Sequence, residues 1–197
     1  MNNTSEKLNK LVKISLLGAI AGILMFIEIP IIPVYEFLKL DFSEVPALMG
    51  AFAFGPIAGI IIEFIKQIVK IVSTGVGSGG IIGLIANFTI GVSFIVPAAI
   101  VYKRKKSKKS AIIGMVIGTL VMEVVAILAN YFIFLPAYGM PMESAEGMKY
   151  VVVGLLPLNS IKAISVSILT YIIYKKISVT IFKVDANFGS KKKIEES

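Results

Sequence analysis

The 197-residue sequence contains no cysteine and no histidine. Without cysteine, the chain has no disulfide framework, no thiolate nucleophile and no cysteine-based metal site. Without histidine, it also lacks the commonest catalytic base and metal ligand. A G-x-x-x-x-G-K-[ST] phosphate-binding loop is missing too, so the chain does not hydrolyse ATP by that route. We therefore expect a protein that is not an enzyme, holds no metal ion and needs no cofactor.

Charged residues are also scarce, at 16% of the sequence, whereas 56% of the residues are hydrophobic. This composition is typical of a membrane protein. The formal net charge is +8, but most basic residues lie in short blocks beside apolar runs, as in the cytoplasmic flanks of membrane proteins. We expect the lipid bilayer as a partner and do not expect nucleic acid.

The first apolar run could be mistaken for a signal peptide, because lysines precede it and an A-x-A triplet occupies positions 19–21. The run continues past this triplet to Ile27, which does not fit a short signal sequence. We expect a retained membrane span.

About 20 apolar residues are needed to cross the hydrocarbon core as a helix. Between positions 43 and 73 the apolar run is too long for one untilted span, and we divide it at Gly55-Pro56 because proline cannot continue a helical hydrogen-bond ladder. The sequence thus predicts an all-α integral membrane protein with one membrane domain, residues 1–178, and a polar cytoplasmic tail, residues 179–197. The six predicted spans are about 11–29, 43–54, 56–73, 80–102, 110–134 and 156–176.

Three basic blocks set the predicted orientation: the lysines before the first span, the segment 102–109, and the lysines near the C-terminus. Six spans put all three blocks on one side, which the positive-inside rule assigns to the cytoplasm. Both termini are then cytoplasmic, and the loops 30–42, 73–80 and 135–155 face outward.

Two lysines of the third span, Lys66 and Lys70, fall in its outer half under this orientation. Lys66 can pair with Glu63 one turn away, and Lys70 can extend towards the outer surface. The alternative is that they take part in a binding site.

Polar residues of three spans share one predicted depth near the outer surface. Asn159 and Lys162 lie three residues apart on one helical face, and Asn130 and Asn87 approach the same level from other spans. A charged residue in a span costs about 2.5–3.5 kcal/mol, and Glu123, the nearest carboxylate in a neighbouring span, lies about 10 Å deeper than Asn130 by helical rise. We predict a polar pocket in which Lys162 meets a ligand or ordered water; the alternative is hydrogen bonding between helices.

The outer loop before the second span alternates apolar and polar residues in "EFLKLDF". This pattern predicts an extended segment with apolar side chains inward and free backbone groups. We expect it to cover a flat amphipathic ligand, with Ser43 or Asp41 capping the next helix; the alternative is a loop buried against its own bundle. The predicted contact residues are Leu38, Lys39, Leu40, Asp41 and Phe42.

A stripe of small residues runs along the first span: Ser15, Gly18, Ala19 and Gly22. Such stripes allow close approach of another helix in lipid. The spacing fits a docking surface for a partner and internal packing equally well.

Several long strings resemble the riboflavin-specific substrate-binding (S) component of energy-coupling factor (ECF) transporters. They are "FLKLDFSEVPALMGAFAFGPIAG" at 37–59, "IANFTIGVSFIVPA" at 85–98, "NYFI" at 130–133 and "LPLNSIKAI" at 156–164. The resemblance covers essentially the whole hydrophobic chain.

The resemblance implies a six-helix protein of a bacterial cell membrane that captures riboflavin from outside as the transported ligand. It implies delivery through a transmembrane coupling subunit and two ATPase subunits, and it favours the docking role of the small-residue stripe. The pocket and loop residues named above become the expected riboflavin contacts. The alternatives are an S component for another vitamin or for FMN, and an autonomous ion-coupled carrier that uses Glu28, Glu63 or Glu123.

Overall fold

The computed structural model describes residues 3–35, 38–76, 79–140 and 143–180. The predicted tail therefore lies, except for its first two residues, outside the described part of the chain. The described residues form α-helices, two short π-helical segments and one two-residue strand pair. In chain order these are α1 (Asn3–Leu24), β1 (Ile29–Pro30), β2 (Lys39–Leu40), α2 (Glu44–Phe54), α3 (Pro56–Thr74), α4 (Gly80–Arg104), α5 (Lys108–Ala129), π1 (Asn130–Phe134), α6 (Leu135–Ala137), α7 (Ala145–Lys149), π2 (Tyr150–Leu155) and α8 (Leu156–Thr180).

The break between α2 and α3 falls at Gly55, where the sequence places it. Gly55 has φ +100°, a conformation that side-chain-bearing residues rarely adopt. Its N–H donates to the Ala51 carbonyl at 2.9 Å and so closes α2. Pro56 then begins α3, where its missing N–H leaves no helical bond unmade.

Around the last span, the helical part of the chain is longer than the sequence predicts. The predicted loop 135–155 contains α6, α7 and π2, and the chain is helical without interruption from Ala145 into α8. Pro157 is the second residue of α8, two residues after the end of π2. At the first span, the helix ends earlier than the predicted position 29. α1 ends at Leu24, and the next residues form turns that lead into β1.

The closest packing in the bundle joins α4 to α5 through glycines. A Cβ placed on Gly114 lies 2.6 Å from the Ala98 carbonyl oxygen, and Gly118 meets the Phe94 carbonyl oxygen in the same way. Because no side chain intervenes, the two backbones approach closely. The main core is completed by apolar residues of α1, α2, α3 and α8.

Three described helices are long and apolar enough to cross a membrane, namely Gly80–Arg104, Lys108–Ala137 and Ala145–Tyr174, where the last two include the π segments. Helix α2 is apolar but only 11 residues long. Large apolar side chains also cover the outside of the bundle: Val72 is 80% exposed and Phe132 is 69% exposed. Such a surface fits contact with lipid rather than water. The prediction of an all-α membrane protein is confirmed, while six spans remain a prediction.

The small-residue stripe of α1 is divided between two faces of the helix. A Cβ on Gly18 lies 2.7 Å from Ile65, and one on Gly22 lies 2.5 Å from Val69, so both glycines pack inside the bundle against α3. Ser15 and Ala19 are exposed. The docking prediction is therefore corrected at Gly18 and Gly22, because Ile65 and Val69 of α3 occupy the space beside these two glycines.

The extended segment before α2 pairs with the chain that precedes it. Residues of β1 and β2 are antiparallel partners, Ile29 with Leu40 and Pro30 with Lys39. This pairing engages part of the backbone that was expected to be free, because alternate residue pairs of an antiparallel ladder exchange hydrogen bonds. Residues 36 and 37 of the same segment lie outside the described part of the chain.

Candidate functional site

A cavity of about 450 Å³ lies among α2, α4, α5, α8 and the residues around π1 and π2. Its wall is mostly apolar, with a small number of polar groups, as is usual for sites that bind small molecules. The polar lining residues are Lys39, Glu44, Asn87, Asn130, Tyr138, Tyr150, Asn159 and Lys162. The larger apolar ones are Leu38, Ile90, Phe94, Met122, Phe134, Leu135, Met140, Leu155 and Leu158.

The structure brings all three predicted asparagines to this cavity, with different partners. Asn130 is buried, and its amide donates to the Ala126 carbonyl at 2.8 Å. Asn159 is also buried, and its amide nitrogen makes no hydrogen bond within the described residues. The side-chain oxygen of Asn87 accepts from Gln67 at 2.8 Å, which links α3 to α4 as the interhelical alternative requires.

Both π-helical segments lie beside the cavity and next to a proline. Asn130 is the first residue of π1, and Pro136 lies two residues after the end of π1. Pro157 lies two residues after the end of π2, and Asn159 follows two residues later, in α8. A π turn widens the helix and changes the direction of the side chains after it. The prolines in the sequence are the signal that could have located these segments.

Lys162 of α8 meets two carboxylates rather than only a ligand or water. Its Nζ lies 2.9 Å from Asp41 Oδ2 and 2.9 Å from Glu44 Oε1. The sequence-based expectation for its partner is therefore corrected: residues 121 positions apart are brought together because the chain before α2 packs on α8. Lys162 still lines the cavity.

Asp41 also organises the start of α2. One of its oxygens accepts from the Ser43 N–H at 2.8 Å and from the Ser43 hydroxyl, and the other accepts from Lys162. Ser43 itself makes no capping hydrogen bond to α2. Neither capping candidate therefore bonds to the first N–H groups of α2, and Asp41 instead fixes the turn before the helix.

The charges of α3 extend the same cluster. Lys66 Nζ lies 2.6 Å from Glu63 Oε2, so the predicted pair is confirmed, and it lies 3.0 Å from Glu44 Oε1. Glu63 and Lys66 are both completely buried. Glu123 is not part of this cluster, since it accepts from Ser160 at 2.7 Å.

The loop residues predicted as ligand contacts divide into two groups. Leu38 and Lys39 line the cavity. Leu40 packs in a small core with Ile32, Leu38 and Leu158, and Phe42 packs against both this core and the main one. Asp41 bonds to Lys162, and Leu40, Asp41 and Phe42 are not among the described lining residues of the cavity.

Glu28 joins the hairpin to α3 outside the helices. It accepts from Lys39 Nζ at 2.8 Å and from Lys70 Nζ at 2.6 Å, so Lys70 has a partner instead of simply extending outward. Partial burial opposes ionisation of Glu28, but the two ammonium groups outweigh it and place the pKa of Glu28 below its ordinary value.

Sequence reasoning missed the aromatic wall and the loop contact beside it. Phe94, Phe134, Tyr138 and Tyr150 line the cavity, and the Tyr138 hydroxyl donates to the Gly79 carbonyl at 2.7 Å. This bond connects the segment after α5 to the start of α4. Apolar runs do not distinguish lipid-facing aromatic residues from cavity-facing ones, so the sequence carried no signal for this set.

The arrangement can hold a flat ligand with one polar edge. Aromatic and aliphatic side chains offer contact to a ring, while the asparagine amides and the ammonium groups of Lys39 and Lys162 offer donors and acceptors. Such a site recognises an amphipathic small molecule and presents no nucleophile with an activating base among the lining residues.

The fold and this cavity define a helical membrane protein that binds a small molecule within its bundle. The family model for the substrate-specific component of ECF transporters matches residues 9–174. The chain is 40% identical over 185 residues to the riboflavin transporter RibU of Staphylococcus aureus (strain TCH60), covering 89% of this chain and 96% of that protein. It is 36% identical over 176 residues to the riboflavin transporter FmnP of Bacillus subtilis (strain 168), covering 87% and 93%.

A solved structure of the S component of a bacterial ECF transporter has the same fold. The TM-score is 0.73 at 40% sequence identity, and the match covers 87% of this chain and 96% of that one. The chain therefore belongs to the family of ECF transporter S components.

Proposed function

We propose that the protein captures riboflavin from the extracellular side and serves as the riboflavin-specific S component of an ECF transporter. The observation that carries the proposal is the convergence of Asn130, Asn159 and Lys162 on one largely apolar cavity. The names of the relatives at 40% and 36% identity support the choice of ligand.

The proposed recognition follows from the chemistry of the isoalloxazine ring. Its pyrimidine edge alternates acceptors with a donor, and asparagine amides can match both kinds of group. The Lys162 ammonium has three N–H donors, of which two are directed to Asp41 and Glu44. The third can donate to a carbonyl or ring nitrogen of the ligand. Leu38, Lys39 and Asn87 are further proposed contacts.

The proposed topology has six spans, both termini in the cytoplasm and the cavity open towards the outside of a bacterial cell membrane. Its support is the placement of the basic blocks and the lipid-facing surface of the bundle. Because the chain has no cysteine, single cysteines can test it with a membrane-impermeant maleimide. In intact cells Glu143→Cys should react and Lys106→Cys should not, and the reverse labelling would contradict the orientation.

We assign transport to a complex with a transmembrane coupling subunit and two ATPase subunits. The lack of a phosphate-binding loop in this chain fits a division of labour in which other subunits hydrolyse ATP. The exposed part of the small-residue stripe, Ser15 and Ala19, is the proposed contact with the coupling subunit. Riboflavin is then cargo, and the protein performs no chemistry on it.

Reconstituted uptake tests this function. Proteoliposomes that contain the S component, the coupling subunit and the ATPases should accumulate riboflavin only when ATP is supplied. Accumulation by the S component alone, driven by an ion gradient, would support the autonomous carrier instead. Recovery of an altered flavin would indicate an enzyme, and preference for FMN in competition would identify a different cargo.

A further inference from the structure

Five charged side chains, four of them buried and Lys162 partly exposed, form one ion-pair chain of alternating sign. In spatial order they are Glu63, Lys66, Glu44, Lys162 and Asp41, and the successive N to O distances are 2.6, 3.0, 2.9 and 2.9 Å. They come from α3, α2, α8 and the loop before α2. The proposed function uses only Lys162 of these five residues. It gives no role to Glu63 and Lys66, the ion pair of α3.

Glu44 is the link between the α3 pair and the cavity. Its Oε1 is shared by Lys66 and Lys162, whose ammonium groups lie 3.0 and 2.9 Å away. Glu44 and Lys162 line the cavity, whereas Lys66 is fully buried and is not among its described lining residues. The ion pair with Glu44 is therefore the direct contact of Lys66 with the cavity lining, whereas the neighbouring Gln67 reaches the lining separately through its hydrogen bond to Asn87.

We propose that Lys66 is a positioning residue for the ligand site, acting through Glu44 on Lys162. This inference rests on the proposed riboflavin function and adds α3 to the elements that set its affinity. Lys66 neutralises part of the Glu44 charge, so Lys162 is held between two carboxylates without being drawn fully onto either one. The third N–H of Lys162 then stays directed at the cavity.

Electrostatics gives the reason for expecting a sizeable effect. The cluster has three carboxylates and two ammonium groups, and all but Lys162, whose side chain is 12% exposed, are buried. Charge interactions are much stronger between buried groups than at a surface. Removing the Lys66 charge leaves Lys162 as the only cation for Glu44, Glu63 and Asp41. Lys162 then binds more tightly to Glu44 and donates less well to a ligand.

Glu63 holds Lys66 in this position from within α3. A Cβ on Gly91 of α4 would lie 2.7 Å from Glu63 Oε2, so the glycine provides the space in which the Glu63 carboxylate reaches Lys66. Lys70, one turn further along α3, provides a matched control, because it is also an ion-paired lysine but its partner is Glu28.

A double-mutant cycle on riboflavin binding to the purified full chain tests the proposal. We expect Lys66→Met to weaken binding about 10-fold in the otherwise unchanged protein and less than about 2-fold when Lys162→Met is already present. Lys70→Met should change the dissociation constant by the same factor in both backgrounds. A purely structural role of Lys66 would lower the melting temperature without this dependence on Lys162.

Lys66→Met leaves a buried carboxylate without its partner, which is strongly destabilising. A second variant that removes both members of the ion pair avoids this unpaired charge. Glu63→Gln combined with Lys66→Met removes one charge of each sign and leaves the formal net charge of the cluster unchanged. It should give the same 10-fold weakening and the same dependence on Lys162. Equal effects in both backgrounds, unchanged affinity, or failure of both variants to fold would overturn the proposal. Absence of riboflavin binding by the unmodified protein would instead overturn the proposed function.

Discussion

Two adjacent small residues of α1, Gly18 and Ala19, should respond differently to the same substitution, leucine. Gly18 faces Ile65 of α3, whereas Ala19, about 100° further around the helix, is exposed. Gly18→Leu therefore tests packing within the bundle, and Ala19→Leu tests the proposed contact with the coupling subunit.

The expected cost at Gly18 follows from the distances around it. Even the first carbon of a side chain would lie 2.7 Å from Ile65 Cγ2 and 2.8 Å from Ile65 Cβ, well inside ordinary van der Waals contact of about 3.5–4.0 Å. Overpacking of this kind costs about 1–3 kcal/mol. The better helix propensity of leucine returns less than about 1 kcal/mol of that, so we expect a net loss of stability of about 1–2 kcal/mol.

Thermal melting in detergent, riboflavin titration and reconstituted uptake separate the two effects. Gly18→Leu should melt at a lower temperature and lose binding and uptake together. Ala19→Leu should keep its melting temperature and riboflavin affinity but lose ATP-dependent uptake and co-purification with the coupling subunit. A stable, active Gly18→Leu protein would refute the packing argument, and normal uptake by Ala19→Leu would refute the docking proposal.

Three further predictions concern the site and its supports. Asn159→Ala should weaken riboflavin binding in an equilibrium titration by about 1–3 kcal/mol, because a polar edge of the ligand is left unsatisfied; normal affinity with a lower melting temperature would show that the residue only joins helices. Gly91→Ala should lower the melting temperature, since its Cβ meets Glu63 Oε2 at 2.7 Å, and an unchanged melting curve would contradict that geometry. Glu28, whose pKa is lowered on folding, contributes stability above the ordinary glutamate pKa that is lost as pH falls through its folded-state value. Glu28→Gln should therefore reduce the acid-induced drop in melting temperature, and identical pH profiles would contradict this role.

The composition and the proline positions predict much of the architecture. The apolar runs located the helices, and Gly55-Pro56 located the break between α2 and α3. The same runs do not distinguish π segments from α-helix, and only the prolines that follow them, Pro136 and Pro157, mark their positions. The helix that follows residue 144 falls within the predicted loop 135–155.

The sequence predicts those site residues that come close to one another because they lie at the same depth in the membrane. Asn130, Asn159 and Lys162 were expected at one level, and all three line the cavity. The carboxylate partners of Lys162 were not predictable, since Asp41 and Glu44 are distant in sequence and meet α8 only through the tertiary packing. For the same reason the side of α1 that faces α3 could not be chosen from the spacing of its small residues.

Riboflavin titration of the purified chain, followed by flavin fluorescence and by mass spectrometry of the recovered ligand, tests the central claim most directly. We expect stoichiometric quenching of the fluorescence as the ring enters the aromatic-lined cavity, with one unchanged riboflavin recovered per chain. Undiminished fluorescence at excess folded protein, with no riboflavin recovered, would contradict the claim that this cavity is a riboflavin site.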